Sequence, residues 1–413
     1  MIEEICQKAK VASVHMAELS AEQKNIALDQ MANALEANVE LILAANKRDV
    51  EVAKGKKLKT SLLDRLMLDH KKVQNMAKEL REIIVLADPI GTILSSYTHA
   101  NGLVIDQVCV PLGVVGVIYE SRPNVTADAA GICIKAGNAV ILRGGSDALA
   151  SNLAIEEVLR AALLGTDVPV DAIQVVVSTD RKDVEKLMSM REYVDVLIPR
   201  GGADLIKTVI EKAKIPVIET GTGNCHIYIE EDADLEMATP LIINAKIQRP
   251  GVCNSAEKLL VHDKIAKSYI PKIVAELQKN GVEVRGDQKT CQIMPSIKVA
   301  TEQDWYTEYL DLRIGIKVVE NLKEAITHIN KYGTKHSEAI ITHDVTKATR
   351  FLQEIDASAV YWNASTRFTD GNQFGLGAEI GISTQKLHAR GPMSIQHLTT
   401  TKYIIKGNGQ IRK

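Results

Sequence analysis

Val114-Val-Gly-Val-Ile-Tyr119 opens a series that the runs Ala139–Leu142, Ile173–Val177, Val194–Ile198 and Pro216–Ile218 continue, each short, apolar and rich in Val or Ile. Helical periodicity fills the gaps, near 126–136, 147–164, 180–190 and 203–213. Strands without polar alternation, separated by helices, predict a parallel sheet covered on both faces. A second αβ series runs from Glu257 to Tyr361, with strands near 257–261, 282–285, 314–319, 338–342 and 358–362. The fold class is therefore α/β, with two doubly wound αβ domains.

Upstream, residues 2–90 read as helices. Ile5, Ala9, Ala12, Met16 and Leu19 recur at helical spacing, and Ser20-Ala-Glu-Gln23 is a capping-box signal for the next helix. Gly55 closes a third helix and Asp88-Pro89 a fourth. Asn101-Gly102 then marks a hairpin turn before the alternating run Leu103–Val110. The tail Thr399–Ile405 reads as a strand that pairs with this hairpin, within the subunit or across a dimer. The cluster Lys54, Lys56, Lys57 and Lys59 reads as a solvated turn. These boundaries give a domain over 1–250 interrupted by a hairpin at 97–111, a second over 251–368, and a return segment over 369–413.

Composition excludes several function classes. The 413 residues are 46% hydrophobic and 25% charged, with 50 basic against 52 acidic side chains mixed throughout, as in a globular chain with a large core. Three Phe, two Trp and ten Tyr offer no stacking platform, and no cationic stripe is present, so nucleic acid is not an expected partner. The longest apolar stretch, Val108–Tyr119, contains Pro111 and two glycines and is too short to span a bilayer. The charged start lacks the apolar region of a secretory signal. Six cysteines at 6, 109, 133, 225, 253 and 291 form no C-x-x-C pair, against a metal site or disulfide framework. A cytosolic protein with reduced thiols and no metal is expected.

The chemistry centres on Arg249-Pro-Gly-Val-Cys253-Asn-Ser-Ala-Glu257. Pro250 and Gly251 break a helix, leaving Cys253 on a loop before an apolar strand, and Gly251 lets a substrate approach the backbone. Backbone N–H groups there can hold an oxyanion. By itself a cysteine is more often a buried structural thiol than a nucleophile. Glu219 changes that weighting: it ends the apolar strand Ile215-Pro-Val-Ile, stands 34 residues before Cys253, and opens the turn Glu219-Thr-Gly-Thr-Gly-Asn224. The carboxyl end of a parallel strand is where α/β sheets place sites. Cys225-His226 is set aside as a nucleophilic pair, because neighbours on a strand point to opposite faces.

These segments resemble the aldehyde dehydrogenase superfamily, whose Glu-Leu-Gly-Gly turn precedes the catalytic cysteine by a similar interval; here Thr-Gly-Thr-Gly replaces Leu-Gly-Gly. Pro111-Leu-Gly-Val-Val-Gly116, Ala136-Gly-Asn-Ala-Val-Ile-Leu-Arg143 and Leu197-Ile-Pro-Arg-Gly201-Gly202 are similar to its cofactor-domain segments. The resemblance implies an aldehyde dehydrogenase-like fold with a small β-hairpin oligomerisation element, hence a homo-oligomer. It makes Cys253 the nucleophile and Glu219 a second catalytic residue. It also puts the cofactor pyrophosphate at the helix following Gly201 and Gly202, where glycines and free N–H groups suit an anion. Glu308 is similar to the acid that binds the cofactor ribose. At Arg143-Gly144-Gly-Ser146, NAD-preferring relatives carry an acid where Ser146 stands, so NADPH/NADP is the implied cofactor.

Two further segments are similar to the γ-glutamyl phosphate reductase family within that superfamily. They are Val319–Ile340, with Tyr332-Gly-Thr and His336-Ser-Glu, and Tyr119-Glu-Ser-Arg122-Pro-Asn124-Val-Thr126. The resemblance implies reduction of an acyl phosphate through a cysteine thioester, with Arg122, Asn124, Asn254, His336 and Ser337 as candidate substrate-binding residues. A glutamate 5-kinase is a candidate partner. A hydrolytic or CoA-acylating enzyme of the superfamily, or a silent binding protein on its fold, are the alternative readings. His328, on a predicted helix, reads as structural.

Overall fold

The computed structural model describes residues 2–56, 58 and 60–412, so Lys57 and Lys59 of the lysine cluster lie outside the described residues. The first 84 residues form five helices: α1 (Ile2–Met16), α2 (Ala21–Ala37), α3 (Val39–Gly55), α4 (Thr60–Leu66) and α5 (His70–Ile84). The capping box is formed as read: Gln23 N–H donates to Ser20 Oγ at 3.2 Å, and Ser20 N–H to Gln23 Oε1 at 2.8 Å. Strands β1 (Ile93–Thr98) and β2 (Val104–Pro111) make the hairpin, with Gly102 at φ 88° as its turn requires.

The first αβ series becomes β3 (Val114–Tyr119), α6 (Asn124–Lys135), β4 (Ala139–Arg143), α7 (Leu149–Leu163), β5 (Ile173–Val175), α8 (Arg181–Ser189), β6 (Val196–Arg200) and α9 (Ala203–Lys212). The four strands pair in parallel in the order β5-β4-β3-β6. Every residue of β3 is buried, the result of helices on both faces. Pro216–Ile218 is not a full strand: only Val217 bridges, to Leu197. Pro216 has no N–H for a ladder.

The second series is β7 (Cys225–Ile229), α10 (Leu235–Ile247), β8 (Ala256–His262), α11 (Asp263–Lys279), β9 (Glu283–Gly286), α12 (Gln288–Ile293), β10 (Lys298–Val299), α13 (Glu302–Tyr306), β11 (Arg313–Val319), α14 (Leu322–Tyr332), β12 (Ser337–Ile341), α15 (Val345–Glu354) and β13 (Ala359–Trp362). Its order is β10-β9-β11-β8-β7-β12-β13. Alternation sorts the two faces. Ile227, Ile229, Leu259, Val261, Ala339 and Ile341 join the core under α10 and α11. Tyr228, Leu260 and Ile340 join the other core, under α14 and α15. Strand β7, absent from both series in the sequence reading, is central here.

Two compact units result. One holds residues 1–220, 375–381 and 393–413; the other holds 221–374 and 382–392. The sequence reading drew the boundary after residue 250, but β7 and α10 build the second sheet and pull 221–250 with them. The short pair β14 (Gly381–Ser383) and β15 (Gly391–Met393) precedes β16 (Thr399–Lys406). Strand β16 pairs antiparallel with β2 inside the chain, Lys402 facing Val108. The three-stranded sheet β1-β2-β16 leaves Ile93, Leu94, Tyr97, Tyr403 and Ile405 exposed. No helix among the described residues is long and apolar enough to cross a membrane.

Candidate active site

Cys253 is half-buried in the loop between α10 and β8. The turn before β7 presses on its main chain: a Cβ built on Gly223 would lie 1.3 Å from the Cys253 carbonyl oxygen and 2.6 Å from its Cα. Only glycine fits there. A Cβ on Gly251, by contrast, would meet only Leu310 O, at 3.8 Å. Glu308 fixes the pressing turn, its Oε1 accepting from Gly223 N–H at 2.6 Å. The thiol of Cys225 donates to the Cys253 carbonyl at 3.1 Å, and His226 turns the opposite way, Nδ1 3.1 Å from Glu338 Oε2. Those separate partners follow from strand alternation.

Behind the loop lies a buried charge cluster that the sequence reading missed. Lys246 Nζ is 3.2 Å from Glu257 Oε1, and both side chains are wholly buried. Glu257 also accepts from Tyr309 N–H (3.2 Å) and Leu310 N–H (3.3 Å), holding Leu310 at a strained φ of 53°. Lys258 donates to Asn224 Oδ1 (2.7 Å) and Thr307 O (2.8 Å) and lies 4.4 Å from the Tyr309 ring centre. Burial is the largest influence on all three ionisable groups. It pushes Glu257 up to about 7, pulls Lys258 down to about 8 and lowers Lys246. Attraction within the pair works the other way on both partners and does not cancel the loss of water.

His336 and Ser337 do not stand in an open loop. Both are fully buried, with Ser337 opening β12. His336 Nδ1 is 2.8 Å from Ser337 Oγ, which is 2.7 Å from Thr369 Oγ1; Tyr361 OH is 2.6 Å from the same Thr369 oxygen. Burial pulls His336 down to about 4, so its imidazole is neutral. Asn254 is also buried and turned inward, its Nδ2 donating to Thr369 O at 2.8 Å and its Oδ1 accepting from Arg367. These three residues anchor the 366–370 turn. His328 packs edge-on to His226 and Trp305, each ring centre 5.5 Å away, and burial lowers it to about 3.

In the first unit, β3, β4 and β6 lie side by side and end at Tyr119, Arg143 and Arg200. The chain reverses its strand order at β3/β6, so the loops after these strands flank a topological switch point. Arg143 Nε is buried with no hydrogen-bond partner, and Ser146 opens the turn after Gly144 and Gly145. An unpaired buried guanidinium N–H beside a serine fits an added phosphate; an acid in place of Ser146 would not. Gly202 caps α9 without a side-chain bond inside the helix, and its N–H donates to Glu120 Oε2 at 2.9 Å. A carboxylate of the chain itself thus occupies the N–H group assigned to the pyrophosphate. Asn124 Nδ2 donates to Asp128 Oδ2 at 2.8 Å within α6, and Arg122 is half-buried in the preceding turn. Glu219 is half-buried beyond the Val217 bridge.

Glu230, Glu231 and His262 cluster at metal-ligand spacing, but Lys347 Nζ lies 3.1 Å from both carboxylates and accounts for them as ion pairs. Two groups beside the cysteine loop also escaped the sequence reading, Arg367 and Asp370. Their signal was a charged pair in the polar stretch Asn363-Ala-Ser-Thr-Arg-Phe-Thr-Asp370, between a strand and the return segment.

The aldehyde dehydrogenase family model matches residues 1–311. A γ-glutamyl phosphate reductase of Caldanaerobacter subterraneus subsp. tengcongensis is 56% identical over 412 residues, covering 100% of both chains. The crystal structure of γ-glutamyl phosphate reductase from Thermotoga maritima superposes with a TM-score of 0.97 at 51% identity, again over 100% of each chain. An acetylating aldehyde dehydrogenase from Geobacillus thermoglucosidasius shares the fold at 19% identity and a TM-score of 0.72, over 100% of this chain and 97% of that one. With a cysteine loop locked by a glycine turn in one αβ unit, and a phosphate-compatible switch point in the other, the chain belongs to the γ-glutamyl phosphate reductases of the aldehyde dehydrogenase family.

Proposed function

We propose that this chain reduces L-glutamyl 5-phosphate to L-glutamate 5-semialdehyde with release of phosphate, a step of proline biosynthesis, through a thioester on Cys253. The carrying observation is the half-buried thiol on a loop whose main chain Gly223 and Glu308 hold in place, in a chain matched end to end by reductases of that name.

The Cys253 thiolate attacks the γ-acyl carbon, an S–C bond forms, and phosphate leaves with the C–O electron pair. Loop N–H groups stabilise the tetrahedral oxyanion. NADPH, when bound at the switch point of the first unit, supplies the hydride that reduces the thioester carbon. The thiohemiacetal then collapses, releasing the aldehyde and returning the electron pair to Cys253 Sγ. Glu219 is the second catalytic candidate, as acceptor of the thiol proton or as a proton shuttle during product release. Glu308 acts through Gly223, and Asn254, His336 and Ser337 act through the 366–370 turn, as positioning residues. Arg143, Gly144 and Ser146 hold the adenosine phosphate. Gly201 and Gly202 would hold the pyrophosphate, the Gly202 N–H donating to it in place of Glu120 Oε2.

The exposed Ile93, Leu94, Tyr97, Tyr403 and Ile405 support burial of the three-stranded sheet in a homo-oligomer. The lability of an acyl phosphate supports delivery by a glutamate 5-kinase, and a thiol nucleophile supports a cytoplasmic setting.

The test is the reverse reaction, NADPH formation from glutamate 5-semialdehyde and NADP with and without inorganic phosphate. Wild type is expected to require phosphate, and Cys253→Ser to lose at least about 10³-fold, since an alcohol is a far weaker nucleophile than a thiolate. Turnover without phosphate would identify a hydrolytic dehydrogenase. A second expectation concerns the cofactor: Ser146→Glu should weaken NADPH binding about 10- to 100-fold and spare NADH. Equal loss for both cofactors would separate Ser146 from the 2′-phosphate.

A further inference from the structure

Beside the Cys253 loop the second unit contains a pocket of about 240 Å³, lined by Asn244, Gln248, Arg367, Phe368, Asp370 and Gln373. Its hydrogen bonds determine which groups face inward. Arg367 Nε donates to Gln248 Oε1 at 2.8 Å, so the Gln248 amide turns its oxygen to arginine and its NH2 away. Ser365 Oγ accepts from Arg367 N–H (3.3 Å) and donates to Asn244 Oδ1 (2.9 Å), so the Asn244 amide turns its oxygen to the serine. Two amides and a guanidinium line the same pocket, and Asp370 is its one carboxylate. Asp370 Oδ1 accepts from Asn372 N–H at 3.0 Å, which fixes the acid at the mouth of its turn.

The pocket is coupled to the nucleophile. Arg367 binds the Asn254 side chain, next in sequence to Cys253, and the charges that act on its guanidinium include Arg249, Cys253 and Asp370. A guanidinium and a carboxylate lining one pocket complement a zwitterion better than they complement a phosphate, which the carboxylate would repel. Cα of a glutamyl group is three C–C bonds of about 1.5 Å from the carbon the thiol attacks. A zwitterionic head held by Arg367 would sit one side chain from the cysteine loop, since the same arginine binds Asn254, the neighbour of Cys253 in sequence.

We propose that this pocket is the amino-acid-specificity site of the enzyme: Arg367, with the Asn244 and Gln248 amides, holds the α-carboxylate of the glutamyl substrate, and Asp370 holds its α-ammonium. The assignment rests on the reaction proposed above. It also gives Asp370 a protective role: an ammonium pinned by a carboxylate has no lone pair with which to close a five-membered ring on the activated carbonyl.

The test uses the full enzyme in the reverse direction, varying semialdehyde and phosphate separately. No phosphate-dependent signal in wild type would overturn the reaction itself, whatever the pocket does. With that signal present, Arg367→Lys should raise KM for glutamate 5-semialdehyde about 10- to 100-fold, the loss of a forked charge-assisted contact. KM for phosphate should stay within about twofold. A rise in the phosphate KM instead would make the pocket a phosphate site and overturn the proposal. Asp370→Asn, which leaves Arg367 in place, should erase the preference for the semialdehyde over 5-oxopentanoate, its analogue without the amine. Retained preference would overturn the ammonium assignment. The alkylation rate of Cys253 should be unchanged in Asp370→Asn, which leaves the Arg367–Asn254 contact in place; a parallel fall in that rate and in kcat would reassign Asp370 to loop structure and overturn its ammonium role.

Discussion

Replacing Gly223 by alanine is expected to remove at least about 99% of turnover while NADPH still binds. The added methyl would sit 1.3 Å from the Cys253 carbonyl oxygen, where an ordinary contact needs about 3.4 Å, so the two segments must part by roughly 2 Å. Displacing a reacting group by about 1 Å already costs about 100-fold. The carbonyl cannot rotate out of the way cheaply, because Cys225 Sγ donates to it and Glu308 holds the Gly223 N–H. Gly251→Ala is the control. It adds the same methyl two residues from the nucleophile but meets only Leu310 O at 3.8 Å, and should lose no more than about threefold. Comparing kcat for the two variants, with NADPH affinity measured by fluorescence, decides the matter. Equal losses would mean that the clash is relieved elsewhere and that Gly223 does not set the thiol's position.

Lys246→Met should destabilise the second unit by about 3–5 kcal/mol at pH 8.5 and by much less at pH 5.5. Removing one member of a wholly buried pair leaves the other charge uncompensated, which is the origin of that figure. The pH dependence follows from Glu257. Its folded pKa, about 7, lies above the unfolded value near 4.3, so its contribution to stability is complete below about 4.3 and is lost as pH rises through 7. Without Lys246, the largest influence opposing burial, that folded pKa rises further and the loss continues into the alkaline range. At low pH Glu257 is neutral in both proteins and the pair is not missed. Both tryptophans, Trp305 and Trp362, belong to the second unit, so fluorescence during urea unfolding reports on it alone. A variant equally destabilised at both pH values would show that Glu257 does not titrate in this range. The double variant Lys246→Met/Glu257→Gln should recover much of the stability, as buried pairs replaced together often do.

How far the sequence carried depends on whether the information was local. The capping box at Ser20–Gln23 and the hairpin turn at Asn101-Gly102 were legible because their hydrogen bonds close within three or four residues. Strands β3 and β4 were legible because burial on both faces demands apolar runs, and β8, β11 and β12 because Val, Ile and Leu dominate them despite Glu257, Lys258, Lys317 and Glu338. Strand β7 entered neither series, although Cys225-His226 reads as strand, because Cys225-His-Ile-Tyr-Ile229 is short and follows a glycine turn. Cys253 and Glu219 could be singled out only because their segments resemble those of the aldehyde dehydrogenase superfamily, since loop chemistry and strand position alone leave each as readily structural. Gly251, close in sequence, could be noticed, whereas Gly223 meets Cys253 only across the β7/β8 pairing and left no local signal.

The rule that sites collect at the carboxyl ends of parallel strands describes the first unit, where Glu120, Gly144 and Gly202 follow β3, β4 and β6. In the second unit the nucleophile loop precedes β8, beside Gly223 before β7 and His336 before β12, at the amino ends. No sequence pattern marks that inversion, because which end of a sheet carries a site depends on the packing of loops remote from one another. The same limit applied to single side chains. His336, Ser337, Asn254 and Asn124 have polar groups that a sequence reading can offer to a substrate, and the folded chain uses them to satisfy its own turns. Arg367 and Asp370 went the other way, from an unremarked loop to the lining of a pocket. Periodicity and local turn chemistry by themselves determined the α/β architecture, the two sheets and the helix-breaking cysteine loop, since each is encoded over a few neighbouring residues. Tertiary structure alone decided which polar groups remain for a ligand, because segments far apart in sequence, such as Asn254 and Thr369 or Arg367 and Gln248, satisfy or release one another's hydrogen bonds.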